Sequence, residues 1–260
     1  MRRALTYLPS MIFALCCMAM IAHGPIRQTE NYHAFADNIS LLGLPNTRDV
    51  ISNLGFALVG LWGIVRLWPQ RKHPAIARGW PGFALFLIGL TLTAFGSTYY
   101  HLAPDNARLL WDRLPIALAC AGLLAGVWAQ TALPAGRANL ATGLLAVYAI
   151  GSVLWWYYGE LNGQGDLRPY LMLQILPILL IPLWQMLYKS PLADRWWFGA
   201  ALLLYILAKL AESNDHTLLT ISNMLISGHT LKHLLATAAA AALVHRLTAA
   251  TLPFSTPTRR

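Results

Sequence analysis

Eight apolar stretches of roughly membrane-spanning length fill this 260-residue chain, at about 4–22, 48–67, 80–101, 109–130, 138–158, 168–188, 195–213 and 228–248. A helix needs roughly 20 mostly apolar residues to cross the hydrocarbon of a bilayer, and a barrel strand only about 10. Helices also satisfy their own backbone hydrogen bonds, which lipid cannot do for them. The chain therefore reads as all-α, a polytopic membrane bundle. Composition agrees, with 57% hydrophobic and only 11% charged residues, where a soluble domain carries about 25% charged. Connections this short leave no room for a soluble domain, so residues 1–260 read as one integral membrane domain. Within it, 48–248 form seven core helices and 4–22 an extra helix or a signal segment. The basic start and the small residues Ala19 and Ala22 suit a cleaved signal, while the length of the run suits a retained helix.

A net charge of +9 raises nucleic-acid binding as a possibility, and the distribution of the charge argues against it. With Met1-Arg2-Arg3 inside and sides alternating at every span, twelve Lys and Arg residues fall on inner segments and five on outer ones. That is the positive-inside bias of a membrane protein. Both termini are then cytoplasmic. Of ten acidic residues only Asp194 falls inside, which no topology rule requires. The outer face is where chemistry is to be sought.

Local signals fill in the architecture. Pro45 followed by Asn46-Thr47 reads as a turn and helix cap. Ala103-Pro104-Asp105-Asn106 is so short a link that its flanking helices must be antiparallel neighbours. Pro177 and Pro182 predict a kink in the sixth span. Cys16, Cys17 and Cys120 lie in apolar runs without ligand or redox spacing and read as packing residues.

Ionisable groups inside a membrane are costly and by default mark function. Here they collect at three outer helix ends: Ser97 to His101, Asp112-Arg113, and His229 to His233 with Lys232 between. Ser97 and His101 are four apart and share a helix face, as do His229 and His233. Two imidazoles at that spacing can converge on one ion. A catalytic zinc site needs three protein ligands and an open position, and His101 lies at the same depth to supply the third. Asp112 and Ser97 reach the same level. Asp112 can instead pair with Arg113 or Arg108, Ser97 can serve helix packing beside Gly96, and Lys209 and Lys232 can snorkel or pair with acids. Glu212, Asp215 and His216 read as supporting or loop residues.

At these residues the chain resembles the alkaline ceramidase family, within the wider group of membrane hydrolases that includes the progestin and adiponectin receptors. The resemblance rests on Ser-x-x-x-His at Ser97/His101, on Asp112, and on His-x-x-x-His at His229/His233, in that order on separate helices. Asn46 to Asn53 is similar to that family's approach to its first core helix. The runs Tyr99 to Asp105 and Ser227 to His233 are similar to its bacterial branch. The likeness covers about residues 27–245. It implies seven core helices around a zinc ion held by His101, His229 and His233, with Ser97 and Asp112 beside it. It also implies hydrolysis of the amide of ceramide-like lipids arriving from the bilayer, and residence in a bacterial inner membrane with the site near its outer face. Animal members place an acid-rich calcium site before the first core helix. Glu30-Asn31-Tyr32 echoes it with few other acids to bind calcium.

In the expected reaction Asp112 moves the proton from water to the leaving amine while Ser97 donates to the developing oxyanion. Two other classes share the features: a receptor that keeps the metal without turnover, and a metal or proton transporter. A transporter calls for polar residues through the full depth, whereas the inner halves of spans such as 118–128 are apolar.

Overall fold

The computed structural model describes residues 5–252. Arg2, Arg3, Arg259 and Arg260, which contribute to the inner-side charge, and the start of the stretch at 4–22 lie outside these residues. Among the described residues the chain forms ten α-helices: α1 (Leu8–His23), α2 (Thr47–Ser52), α3 (Leu54–Leu67), α4 (Trp80–Leu102), α5 (Asn106–Thr131), α6 (Ala138–Leu161), α7 (Arg168–Leu187), α8 (Leu192–Ser213), α9 (Asp215–Ile221) and α10 (Gly228–Ala250). Six segments are long and apolar enough to cross a membrane: Thr47–Leu67 (α2 and α3 together), α4, α5, α6, α7 and α8. The chain is thus an all-helical bundle of integral-membrane character.

Two of the eight stretches differ from expectation. Helix α1 is apolar but only 16 residues long, short of the roughly 20 that a span needs. Helix α10 has 23 residues, yet His229, Lys232, His233, His245 and Arg246 interrupt its apolar run. Three of these meet residues of α8. Arg246 meets Asp194 at 2.6 Å, the exposed His245 lies at a tilt against Trp197 with ring centroids 4.8 Å apart, and Lys232 pairs with Glu212 at 3.0 Å.

Six helices close a ring in the order α3, α4, α5, α7, α8 and α10, each touching the next. Helix α6 lies outside against α5 and α7, and α1 lies against α7. Large apolar side chains such as Leu58, Val65, Phe95, Val147 and Leu203 face outward, as a lipid-facing surface requires. The tightest contact is between α4 and α5, joined by the short link expected at Ala103-Pro104-Asp105, with Asp105 capping α5 by accepting from Arg108 N–H at 2.7 Å. Glycine permits the closeness, for a Cβ on Gly96 would run into the carbonyl oxygen of Trp111. Helix α7 runs unbroken through Pro177 and Pro182.

At the end of the bundle that holds His101 and His229, residues 24–46 form a strap rather than a free loop. Ile26 N–H donates to Asp166 (3.2 Å) and its carbonyl accepts from Leu167 N–H (2.8 Å). His33 meets Tyr100 Oη at 2.8 Å and Asn106 at 2.9 Å. Ala36 N–H donates to Asp215 at 2.8 Å. Asn46 is not the side-chain cap of α2: it takes a left-handed conformation and its amide donates instead to the His101 carbonyl at 2.8 Å. Asp37 does the capping, accepting from Arg48 N–H (2.9 Å) and Asp49 N–H (3.1 Å). An acidic side chain is favourable there because the first-turn N–H groups have no partner inside the helix.

Candidate metal centre

His101, four residues past Ser97, ends α4, and His229 and His233 open α10. All three imidazoles are buried, and they offer ligand atoms within 4.8 Å of one another. Nε2 of His229 lies 3.1 Å from Nε2 of His101. Two nitrogens each about 2.0–2.1 Å from a tetrahedral zinc stand about 3.3 Å apart, so this separation fits one shared ion.

The hydrogen bonds around the cluster decide which nitrogens carry lone pairs. Ser52 has a single hydroxyl proton, which it donates to the Asp49 carbonyl at 2.9 Å. The 2.8 Å contact between Ser52 Oγ and His233 Nδ1 must then be donated by the imidazole, leaving the Nε2 lone pair of His233 free. On His229, Nε2 accepts from the Lys232 ammonium at 2.8 Å, since an ammonium can only donate. A cation already stands beside the ligand atom. His101 Nδ1 is buried without a partner. Three converging buried imidazoles make a donor set suited to zinc or a similar transition metal once Lys232 gives up the Nε2 lone pair of His229.

The mounting of these residues is as specific as the residues themselves. Ser227 caps α10, accepting from Thr230 N–H at 2.9 Å, and Asp49 accepts from the hydroxyls of Ser227 (3.2 Å) and Thr230 (2.5 Å). Asp215 accepts from His229 N–H at 2.7 Å. Gly228 admits this approach, because a Cβ there would sit 2.7 Å from Asp215 Cα. Phe35, on the strap, covers the cluster with ring centroids 4.3 Å from His229 and 4.8 Å from His101.

Below the histidines the ring of helices encloses a cavity of about 370 Å³, within the range of roughly 300–1,000 Å³ that ligand sites occupy. Ser97, Asp112, His233, Lys232 and Glu212 line one end. Leu90, Ile116, Leu123, Ile178, Phe198 and Leu243 line the rest. Ser97 sits beside the Asp112 carboxylate, whose buried Oδ1 has no partner. The structure therefore gathers Ser97, Asp112 and His233 on one cavity and sets His101 and His229 against His233.

Contacts decide between several sequence readings here. Asp112 forms no ion pair among the described residues, because Arg108 is taken by Asp105 and Arg113 packs over Trp156 at 4.0 Å. Lys209 and Lys232 both pair with Glu212, at 2.6 and 3.0 Å. Glu30 is exposed, while Tyr32 of the calcium-like trio turns into the cavity. Ser52, Asp37 and Asp49 were not legible as site residues, although a run of polar residues at the start of an apolar span was a signal for Asp49 and Ser52.

No protein-family model and no curated protein matches the chain.

Proposed function

We propose that the chain is a zinc-dependent membrane hydrolase that cleaves the amide of ceramide-like N-acyl lipids to a fatty acid and an amine. One observation carries this reading: a three-histidine cluster meets a serine and a carboxylate with one unpartnered oxygen at the polar end of a mostly apolar cavity. Helix α10 is read as the seventh core span, since its polar groups other than the exposed His245 are buried or partnered within the bundle.

His101, His229 and His233 would hold the metal, His233 through Nε2 and His229 through the Nε2 that Lys232 now occupies. A zinc ion on such ligands supplies a Lewis acid for a carbonyl oxygen and lowers the pKa of water to about 7. Asp112 takes a proton from the attacking water and returns it to the departing amine. Ser97 donates a hydrogen bond to the oxygen that gains charge. The acyl chain lies along the apolar wall from Asp112 to Leu123, which spans about 16 Å at 1.5 Å per helical residue. Because the strap covers the polar end, the lipid arrives sideways. Helices α7 and α8, which both line the cavity, make the sparsest contact in the ring, so their seam is the way in.

The test is fatty-acid release from N-palmitoyl sphingosine by the detergent-purified protein. Wild type should release palmitate, and Asp112→Asn should lower kcat about 100-fold or more while keeping its metal. Zinc-loaded protein that cleaves no N-acyl lipid would remove the hydrolase and leave the receptor class.

A further inference from the structure

We infer that Arg113 forms an anion-binding subsite in the cavity, selecting N-acyl lipids whose head group carries a carboxylate or a phosphate. The inference rests on the hydrolase reading for what it selects, though not for whether it binds.

Arg113 follows Asp112 on α5, lines the same cavity, and is only 3% exposed. Buried arginines are normally paired with a carboxylate. This one is not. Among the described residues no ion pair includes it, and Nε and Nη1 meet no acceptor. Its guanidinium lies 4.0 Å from the ring centre of Trp156, 5.0 Å from Tyr32 and 5.5 Å from Tyr170. These aromatic neighbours attract the cation through their ring faces, and that contact leaves the in-plane N–H donors unused. Trp156 adds another, for its Nε1 is also buried without a partner. Three neighbouring donors thus have no acceptor among them. The neighbouring Asp112 carboxylate acts on Arg113 through charge alone, so what the donors lack is a hydrogen-bonded oxygen, and a guanidinium matches carboxylate and phosphate oxygens in charge and geometry.

Its place beside Asp112 settles which part of a substrate that group belongs to. Asp112 serves the scissile bond, and the acyl chain takes the apolar wall. An anion at Arg113 therefore sits on the amine side, a short distance beyond the amide nitrogen. N-acyl amino acids and N-acyl phosphoethanolamines have that form, whereas a neutral sphingoid head leaves the three donors unanswered.

The test compares N-palmitoylglycine with N-palmitoylethanolamine, which share the chain and the amide and differ in the anion. N-palmitoyl phosphoethanolamine is added to separate phosphate from carboxylate. Wild type should favour one or both anionic lipids at least tenfold in kcat/KM. Arg113→Gln should bring that ratio close to one, and Arg113→Lys should leave it between. A wild-type ratio near or below one, or a ratio that Arg113→Gln leaves unchanged, overturns the subsite. If Arg113→Gln does not fold, the wild-type ratio and Arg113→Lys decide. If no lipid is cleaved, the hydrolase reading fails by itself, and quenching of tryptophan fluorescence decides the subsite. Tighter binding of an anionic lipid than of the ethanolamide, weakened in Arg113→Lys or Arg113→Gln, supports it; equal binding overturns it.

Discussion

Ser52 Oγ lies 2.8 Å from His233 Nδ1, and this contact fixes which nitrogen of His233 faces the centre of the bundle. Replacing a partner that orients a metal-bound imidazole typically costs 10–100-fold in affinity. Ser52→Ala should therefore weaken zinc binding by about tenfold or more, measured by competition with a chelating dye, with helical content unchanged. Unaltered affinity would mean that packing alone orients the ring.

Lys232 and Glu212 should act on metal affinity in opposite directions. The ammonium stands 2.8 Å from His229 Nε2 and opposes a second cation there, while the Glu212 carboxylate, 3.0 Å from it, offsets that charge. Lys232→Gln should tighten zinc binding and Glu212→Gln should loosen it, each by about tenfold, the equivalent of 1.4 kcal/mol. The same titration reads both. Changes of one sign in the two variants would contradict the charge argument.

Gly96 joins fold to chemistry, because its contact with the Trp111 carbonyl brings Ser97 beside Asp112. Gly96→Val should force α4 and α5 apart at a cost of about 1–3 kcal/mol. Thermal unfolding in detergent reads that loss. The remaining folded protein should keep its zinc and turn over more slowly, since the histidines stand on other contacts.

The three ends that carry Ser97, His101, Asp112, His229 and His233 were legible in the sequence because i,i+4 spacing and alternating topology are local rules. What lay beyond those rules depends on pairs far apart in the chain. Ser52 and His233 are 181 residues apart, and Asp37 caps a helix that begins ten positions after it. Nothing near Arg113 in sequence announces the rings of Tyr32, Trp156 and Tyr170. Hydropathy counted α10 as apolar by its alanines and leucines, and of the polar residues that weaken it as a span His229, Lys232 and His233 belong to the site.

The strap should loosen in acid through Asp166. Burial alone would push its carboxyl up, but hydrogen bonds from the Arg168 side chain and backbone and from Ile26 N–H outweigh that and hold it below the ordinary 3.8. A carboxyl depressed in the folded state contributes stability in full above the unfolded value and loses it as pH falls through the folded one. Protection of the Ile26 and Leu167 amides from hydrogen exchange should thus decline in acid for wild type. In Asp166→Asn it should be lower throughout and lack that step; an identical pH profile would separate the strap from this carboxylate.

Metal content of the purified protein tests the three-histidine centre most directly, with wild type beside His229→Ala/His233→Ala, both exposed to zinc and then freed of excess. The expected result is about one zinc per chain in wild type, as a single catalytic site requires, and almost none in the double variant at equal helicity. No stoichiometric zinc in wild type, or full occupancy in the double variant, would contradict the assignment of these histidines.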